Sequence, residues 1–457
     1  MVFSSITFLF FFLPAVLLLY FVAPQKYKNF ILLLLSLLFY AWGEGIFIVF
    51  LLLSIIGNFY FAKKISQLGK KFLILGVSFN ILMLGVLKYT LFFVDTLNGI
   101  FRLDLSAPNI HLPIGVSFFT FQAVSYLIDV YRKKIQVQQS ILKLGLYISL
   151  FPQLIAGPIV RYSDIETEID TRHISLQKVT EGAERFIIGL SKKVLLSNSM
   201  ASTADLILGG KIENLSSPVA WLGILCYGFQ IYFDFSGYSD MAIGLGKMFG
   251  FTFPENFNYP YISKSIREFW QRWHISLSSW LKDYLYIPLG GNKKGTLRTS
   301  INLFIVFLLC GLWHGAAWNF ILWGAYYGIF LILERTKICT QLMKKTPRMI
   351  LHVYSLLIIT IGWVFFRIEN IHDAFSYIGH LFQFSDWATA LPQIQYYFTP
   401  EFSILFLFSI LASMPLTKIL DEEKKKYFTK PILILLLLLC ILQLASGSYN
   451  PFIYFRF

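Results

Sequence analysis

An all-α fold that crosses the membrane many times is predicted for this chain by three observations. Of its 457 residues, 56% are hydrophobic and 14% charged, a balance that excludes an ordinary soluble globular protein. The mean hydropathy is +0.63. The apolar residues are gathered into runs, and the lysines and arginines fall in the short loops between them. Aromatic residues, 18% of the chain with 47 Phe, suit lipid-facing surfaces and interfacial belts. The formal charge of +14 sits in no single basic block, so it reads as a topology signal. Membrane lipid is expected as a partner and nucleic acid is not.

The elements follow in order from the placement of charge. Apolar runs at 6–24, 29–41 and 46–62 are separated by Lys26 and Lys28 and by an Ala-Trp-Gly-Glu-Gly turn at 41–45. The first run lacks a basic n-region and is read as the first span rather than as a cleavable signal. Lys63, Lys64, Lys70 and Lys71 place the next loop in the cytoplasm and the N-terminus outside. A span at 72–96 then leads to a lysine-free outside loop, and the run 112–131 returns to Arg132, Lys133 and Lys134. Between 140 and 260 the spans are expected to be shorter and interrupted, notably at 151–158 and at the Phe-Asp-Phe-Ser-Gly-Tyr-Ser-Asp segment 233–240. Asp234 and Asp240 there either line a watered cavity or are loop carboxylates at an interface.

Farther along, basic flanks at 293–298 and 335–348 place both ends of the pair 300–312 and 316–334 in the cytoplasm, which makes a hairpin with Trp313 and His314 at its tip. Twelve or so residues climb about 18–20 Å, less than the ~30 Å hydrocarbon core, so the tip is expected within the outer half of the membrane. A span from 348 to 366, an outside loop at 368–400 without Lys or Arg, a return at 401–417 and a last span at 431–446 leave the C-terminus outside. The chain reads as one membrane domain, 1–457, with a catalytic core at about 230–335, a distinct ending at 451–457 and about 11–13 membrane segments.

Chemistry concentrates in residues 263–319. A charged Arg, Lys or Asp at a membrane helix centre costs roughly 2.5–3.5 kcal/mol on insertion scales, so polar clusters in such a chain are functional candidates. Taken as one helix, 267–284 places Trp270, Trp273, Leu277, Trp280 and Tyr284 on one face and Arg272, Ser276, Ser279 and Asp283 on another. His274 shares the third with Arg267, Gln271 and Ser278. Periodicity alone leaves His274 open between a structural role in an interfacial helix and a functional one. Gly311 and Gly315 flank His314 at a spacing that lets helices approach closely, and a packing motif is the bland account. Against it, packing needs no imidazole, whereas a neutral histidine can take a proton from a hydroxyl and return it to a leaving group near pH 7. The ending at 450–457, Asn-Pro-Phe-Ile-Tyr-Phe-Arg-Phe, reads by composition as an interfacial aromatic anchor. Cys226, Cys310, Cys339 and Cys440 have neither disulfide nor metal-ligand spacing, and no metal is expected.

The run 267–291, the Gly-Leu-Trp-His-Gly at 311–315, the 233–240 segment and the ending at 452–457 together resemble the membrane-bound O-acyltransferases. The resemblance is to the bacterial branch that includes alginate and peptidoglycan O-acetylating proteins and the D-alanyl transferase of teichoic acids, and it covers nearly the whole chain. It implies tilted helices around a central funnel in the bacterial cell membrane, with His314 as the central catalytic histidine and His274 as the second, nearer the donor. It implies acetyl-CoA as donor substrate with no bound cofactor, an exported polysaccharide or peptidoglycan as final acceptor, and an extracytoplasmic serine-esterase-like (SGNH-type) partner. Tyr454 matches a tyrosine thought to carry the acyl group. Arg267, Arg272 and Lys282 become candidates for the donor phosphates. Gln271, Ser278, Asp234, Asp240, Trp313 and Asn319 become candidates to bind the donor or line the funnel. D-alanyl transfer to teichoic acid is the alternative enzyme, and a transporter or flippase the alternative of another class. A transporter would not need Tyr454.

Overall fold

The computed structural model describes residues 2–108, 110–383, 387–416, 422–447 and 449–453, and every regular element among them is helical. Four helices among the described residues are long and apolar enough to cross a membrane, or five if one pair bent by 81° counts as a span, and three shorter apolar helices accompany them. Most of the 11–13 expected segments are therefore helices too short or too polar to cross alone. The chain divides into two compact units, Met1–Phe186 with Ser239–Pro254, and Ile187–Tyr238 with Glu255–Phe457.

In the first unit Lys28–Glu44, Ile48–Leu68, Lys70–Phe101 and Val116–Tyr131 are the main helices, in register with the apolar runs. Asn58 and Asn80 exchange two side-chain hydrogen bonds of 3.0 and 2.7 Å, fastening Ile48–Leu68 to Lys70–Phe101. Both amides are fully buried, so each is satisfied by the other where lipid would offer nothing. Arg172 lies buried against Tyr20, whose hydroxyl accepts from its Nε at 2.8 Å.

In the second unit Gly295–His314 and Trp318–Arg335 form the expected antiparallel hairpin. The first helix begins at Gly295 rather than near 300, so its 20 residues span ~30 Å and not the shorter climb expected. The hairpin is closed by glycine. A Cβ on Gly311 would lie 2.1 Å from the Phe320 carbonyl oxygen, and one on Gly324 would lie 2.3 Å from that of Phe307. Gly311→Ala is therefore expected to force two backbones apart and to destabilise the protein by about 1–3 kcal/mol, read as a lowered unfolding temperature in detergent. The outside loop expected at 368–400 contains the helices Ile371–Leu381 and Trp387–Tyr397, because lacking basic residues does not prevent amphipathic helix formation.

Two further expectations are corrected. Residues 233–240 are not irregular: they lie inside Ser217–Met248, an unbroken helix of 32 residues. Their carboxylates are paired with cations, Asp234 with Lys193 and Asp240 with Arg185, so the polar side chains are satisfied without breaking the backbone. Conversely, 267–284 is not one helix. Ile266–Arg272 ends, Trp273 is extended, His274 takes a left-handed φ of 45°, and Ile275–Leu281 starts afresh. The cause is tertiary: Asn258 N–H donates to the Arg272 carbonyl and Ile275 N–H to the Asn256 carbonyl, each at 2.9 Å. A neighbouring segment, residues 256–258, thus takes hydrogen bonds that a continuous helix would have kept.

Candidate active site

The break at Trp273 and His274 sets the first catalytic candidate. His274 is 1% exposed and no longer shares a face with Arg267, Gln271 and Ser278. Its Nδ1 lies 3.1 Å from Asn256 Oδ1. The same amide atom accepts from Ser276 N–H at 3.2 Å and from Ser276 Oγ at 2.9 Å. A backbone N–H can only donate, so that atom is the amide oxygen, and His274 must carry its proton on Nδ1. Its Nε2 is left with a lone pair, buried and without a hydrogen-bond partner. His274 lies outside the membrane-length helices, and burial holds it well below the ordinary histidine range, with His314 acting in the same sense. It is a neutral imidazole with a free basic nitrogen.

His314 ends its helix at the hairpin tip and is 7% exposed. Its ring is enclosed by Trp313, Trp323 and Phe366 at centroid distances of 4.8, 5.1 and 5.2 Å. Trp313 also stands 6.2 Å from the His274 ring, so one indole neighbours both imidazoles. A small void in front of His314 is lined by Phe235, Trp273, Trp323, Trp363, Phe366 and Ile453. Ile453 reaches the void because its N–H donates to Asp234 Oδ2, 219 positions away, at 2.7 Å. Tyr454 follows Ile453 in the chain and lies outside the described residues.

A larger cleft of about 880 Å³ lies in the same unit. Arg267, Gln271, Ser278 and Lys282 line it together with Arg335 and Lys344. Its apolar wall includes Leu303, Val306, Phe307 and Cys310. Cys310 is one helical turn, about 6 Å, from His314, which brings the cleft close to the imidazole. Glu334 shapes this wall by accepting the N–H groups of Ile266 and Arg267 at 2.7 and 3.0 Å, capping the helix that carries Arg267.

Three candidates fall elsewhere. Arg272 is absent from the cleft lining; it pairs with Glu268 at 2.9 Å and donates to the Asn258 carbonyl at 3.0 Å. Asn319 ties the hairpin to Arg348–Arg367 through a 3.1 Å bond to the Phe365 carbonyl. Asp240 belongs to the first unit, where Arg185 holds it at 2.6 Å. The residues missed by the sequence reading are Asn256 and Lys193. Lys193 had a signal, as one of two adjacent lysines, Lys192 and Lys193, inside the otherwise mostly apolar stretch 186–196. Asn256 had none, since its role depends on a chain crossing.

Replacing Asn256 by Leu removes the acceptor that orients His274, and is expected to slow acyl transfer about tenfold to a hundredfold with His314 unchanged. Asn256→Asp keeps an acceptor and adds a charge favouring the imidazolium. It is expected to restore much of the rate while moving the rising limb of the pH profile upward, measured as transfer rate from pH 5 to 9.

The model of the membrane-bound O-acyltransferase family matches residues 132–368. A probable alginate O-acetylase of Pseudomonas putida is 40% identical, with all of both chains covered. The peptidoglycan O-acetyltransferase of Helicobacter pylori is 38% identical over 82% of this chain and 78% of its own. A teichoic acid D-alanyltransferase of Bacillus subtilis is 32% identical over 50% of this chain and 62% of its own.

Proposed function

Because the chain belongs to the membrane-bound O-acyltransferase family, we propose that it moves acetyl groups from cytoplasmic acetyl-CoA across the membrane for O-acetylation of an exported polysaccharide or peptidoglycan. That it is a multi-pass membrane acyltransferase is the premise; the donor, the direction and the acceptor are the proposal. The observation that carries it is the cleft ending one helical turn from His314. Arg267, Lys282, Arg335 and Lys344 suit the phosphates of a nucleotide-bearing thioester, and the apolar wall suits its acyl-bearing arm. The relatives that acetylate alginate or peptidoglycan cover more of this chain than the D-alanyl transferase does, which favours acetyl over D-alanyl transfer.

In this reading His314 takes the proton from an accepting hydroxyl as that oxygen attacks the thioester carbonyl. The new C–O bond forms, the C–S bond breaks, and the proton passes to the departing thiolate. Tyr454 supplies the first accepting hydroxyl: its phenol, with an ordinary pKa of about 10, is easier to deprotonate than a sugar hydroxyl and yields a more reactive ester. Its place in the chain, directly after a residue lining the His314 void, supports that role. His274, neutral and with Nε2 bare, is the second proton acceptor, on the donor side. The acyl group then passes to an extracytoplasmic serine-esterase-like partner and from it to the glycan.

Intact-mass spectrometry of the purified protein after exposure to acetyl-CoA tests the reading. One added acetyl group in the wild type, absent from His314→Ala and Tyr454→Phe, is expected. No added mass in the wild type, with donor and protein intact, would remove the covalent relay.

A further inference from the structure

Lys193 and Asp234 are 2% and 1% exposed and form an ion pair of 2.7 Å inside the second unit. A pair this deeply buried needs further partners, and each charge finds one on backbone. Lys193 Nζ donates to the Pro451 carbonyl, and Asp234 Oδ2 accepts the Ile453 N–H at 2.7 Å. One charge holds the carbonyl of Pro451 and the other the N–H of Ile453, so the pair addresses a main chain and not a particular side chain.

The side chains confirm the direction of the segment. Phe452 packs on Tyr238 at 5.2 Å, and Ile453 enters the void that holds His314. Upstream, Asn198 donates to Asn450 Oδ1 at 3.1 Å and the Tyr449 hydroxyl meets Asp205 Oδ2 at 2.5 Å. Successive tail residues are therefore held by positions 205, 198 and 193 on one run of helix. Lys193 lies in the π-helical turn Lys192–Ser197, the kind of local irregularity that often marks functional positions.

We infer that the buried Lys193–Asp234 pair is a peptide-binding site, whose occupant is the chain's own C-terminal segment held by its main chain. It fixes Ile453 in the His314 void and thereby sets which residue is next presented there. The clamp holds whether or not Tyr454 carries an acyl group; its purpose in transfer rests on the reading above. Lys193 and Asp234 are positioning residues, acting through the tail.

Hydrogen exchange measured by mass spectrometry on the full chain in detergent tests this. Amides of 449–453 are expected to exchange at least about a hundredfold more slowly than in a free peptide. In Lys193→Met/Asp234→Leu, which removes both charges together, that protection is expected to vanish while Asn198–Leu208 and Gly295–His314 keep theirs. Ile453→Pro deletes the donated N–H together with the Ile453 side chain, leaves the pair untouched, and is expected to release the tail equally, whereas Ile453→Ala, which keeps the N–H, is expected to keep its protection; the two decide the matter should the double variant not fold. Retained tail protection in Ile453→Pro or in a folded double variant overturns the clamp, as does free-peptide exchange in the wild type. Tyr454→Phe is expected to keep protection and lose acetyl loading. A protected tail that never loads leaves the clamp and removes the relay, whereas a loaded but unprotected tail does the reverse.

Discussion

His314→Ala is expected to lower acyl transfer by about 10²–10⁴-fold, the range that a positioned general base contributes. The effect should lie in the transfer step, because His314 lines the void in front of it and is absent from the lining of the larger cleft. Single-turnover transfer measured beside donor binding separates the two: the rate falls while the donor's dissociation constant stays within a few-fold. His314→Gln keeps a polar side chain of similar size among Trp313, Trp323 and Phe366 but cannot accept and return a proton at neutral pH. It is expected to be as impaired as the alanine variant. A glutamine variant within tenfold of wild type would show that shape and polarity, rather than basicity, are what this position supplies.

Lys193→Ala and Asp234→Ala are expected to cost about 3–5 kcal/mol each, because either one leaves an uncompensated charge at a site where its partner is 1–2% exposed. Each should lower the yield of folded protein and its unfolding temperature in detergent. Removing both charges at once, as Lys193→Met/Asp234→Leu, is expected to be far less destabilising than either single change. The comparison of the three unfolding temperatures is a double-mutant cycle on a buried pair. A double variant that loses the sum of the two single effects would mean that the two side chains do not act on each other.

Much of the hairpin was legible in sequence. Basic flanks on both sides of 300–334 imply an even number of crossings between them, and Gly311 and Gly315 mark a close approach at its tip. The close approach that the glycine spacing marks is present, since the Gly311 position meets Phe320 backbone, and His314 beside it lines the void. Arg267, Gln271, Ser278 and Lys282 were identified through the family resemblance, and all four line one cleft. The reading of Arg267, Gln271 and Ser278 as one helical face with His274 failed, since Arg267 and Gln271 lie in Ile266–Arg272, Ser278 in Ile275–Leu281 and His274 in the break between them. Arg272, adjacent to Gln271, pairs instead with Glu268 one turn earlier, a spacing of four that sequence does show.

The amino-acid sequence by itself determined the membrane class, the family and the two histidines, because hydropathy, loop charge and short motifs are local properties that no packing can revise. Only the tertiary structure decided the tautomer of His274, the break that buries it and the docking of the tail on Lys193 and Asp234. Asn256 and His274 are 18 positions apart, and Asp234 and Ile453 are 219 apart. Hydrogen bonds over such separations arise where segments cross, and periodicity within any one segment carries no record of the crossing.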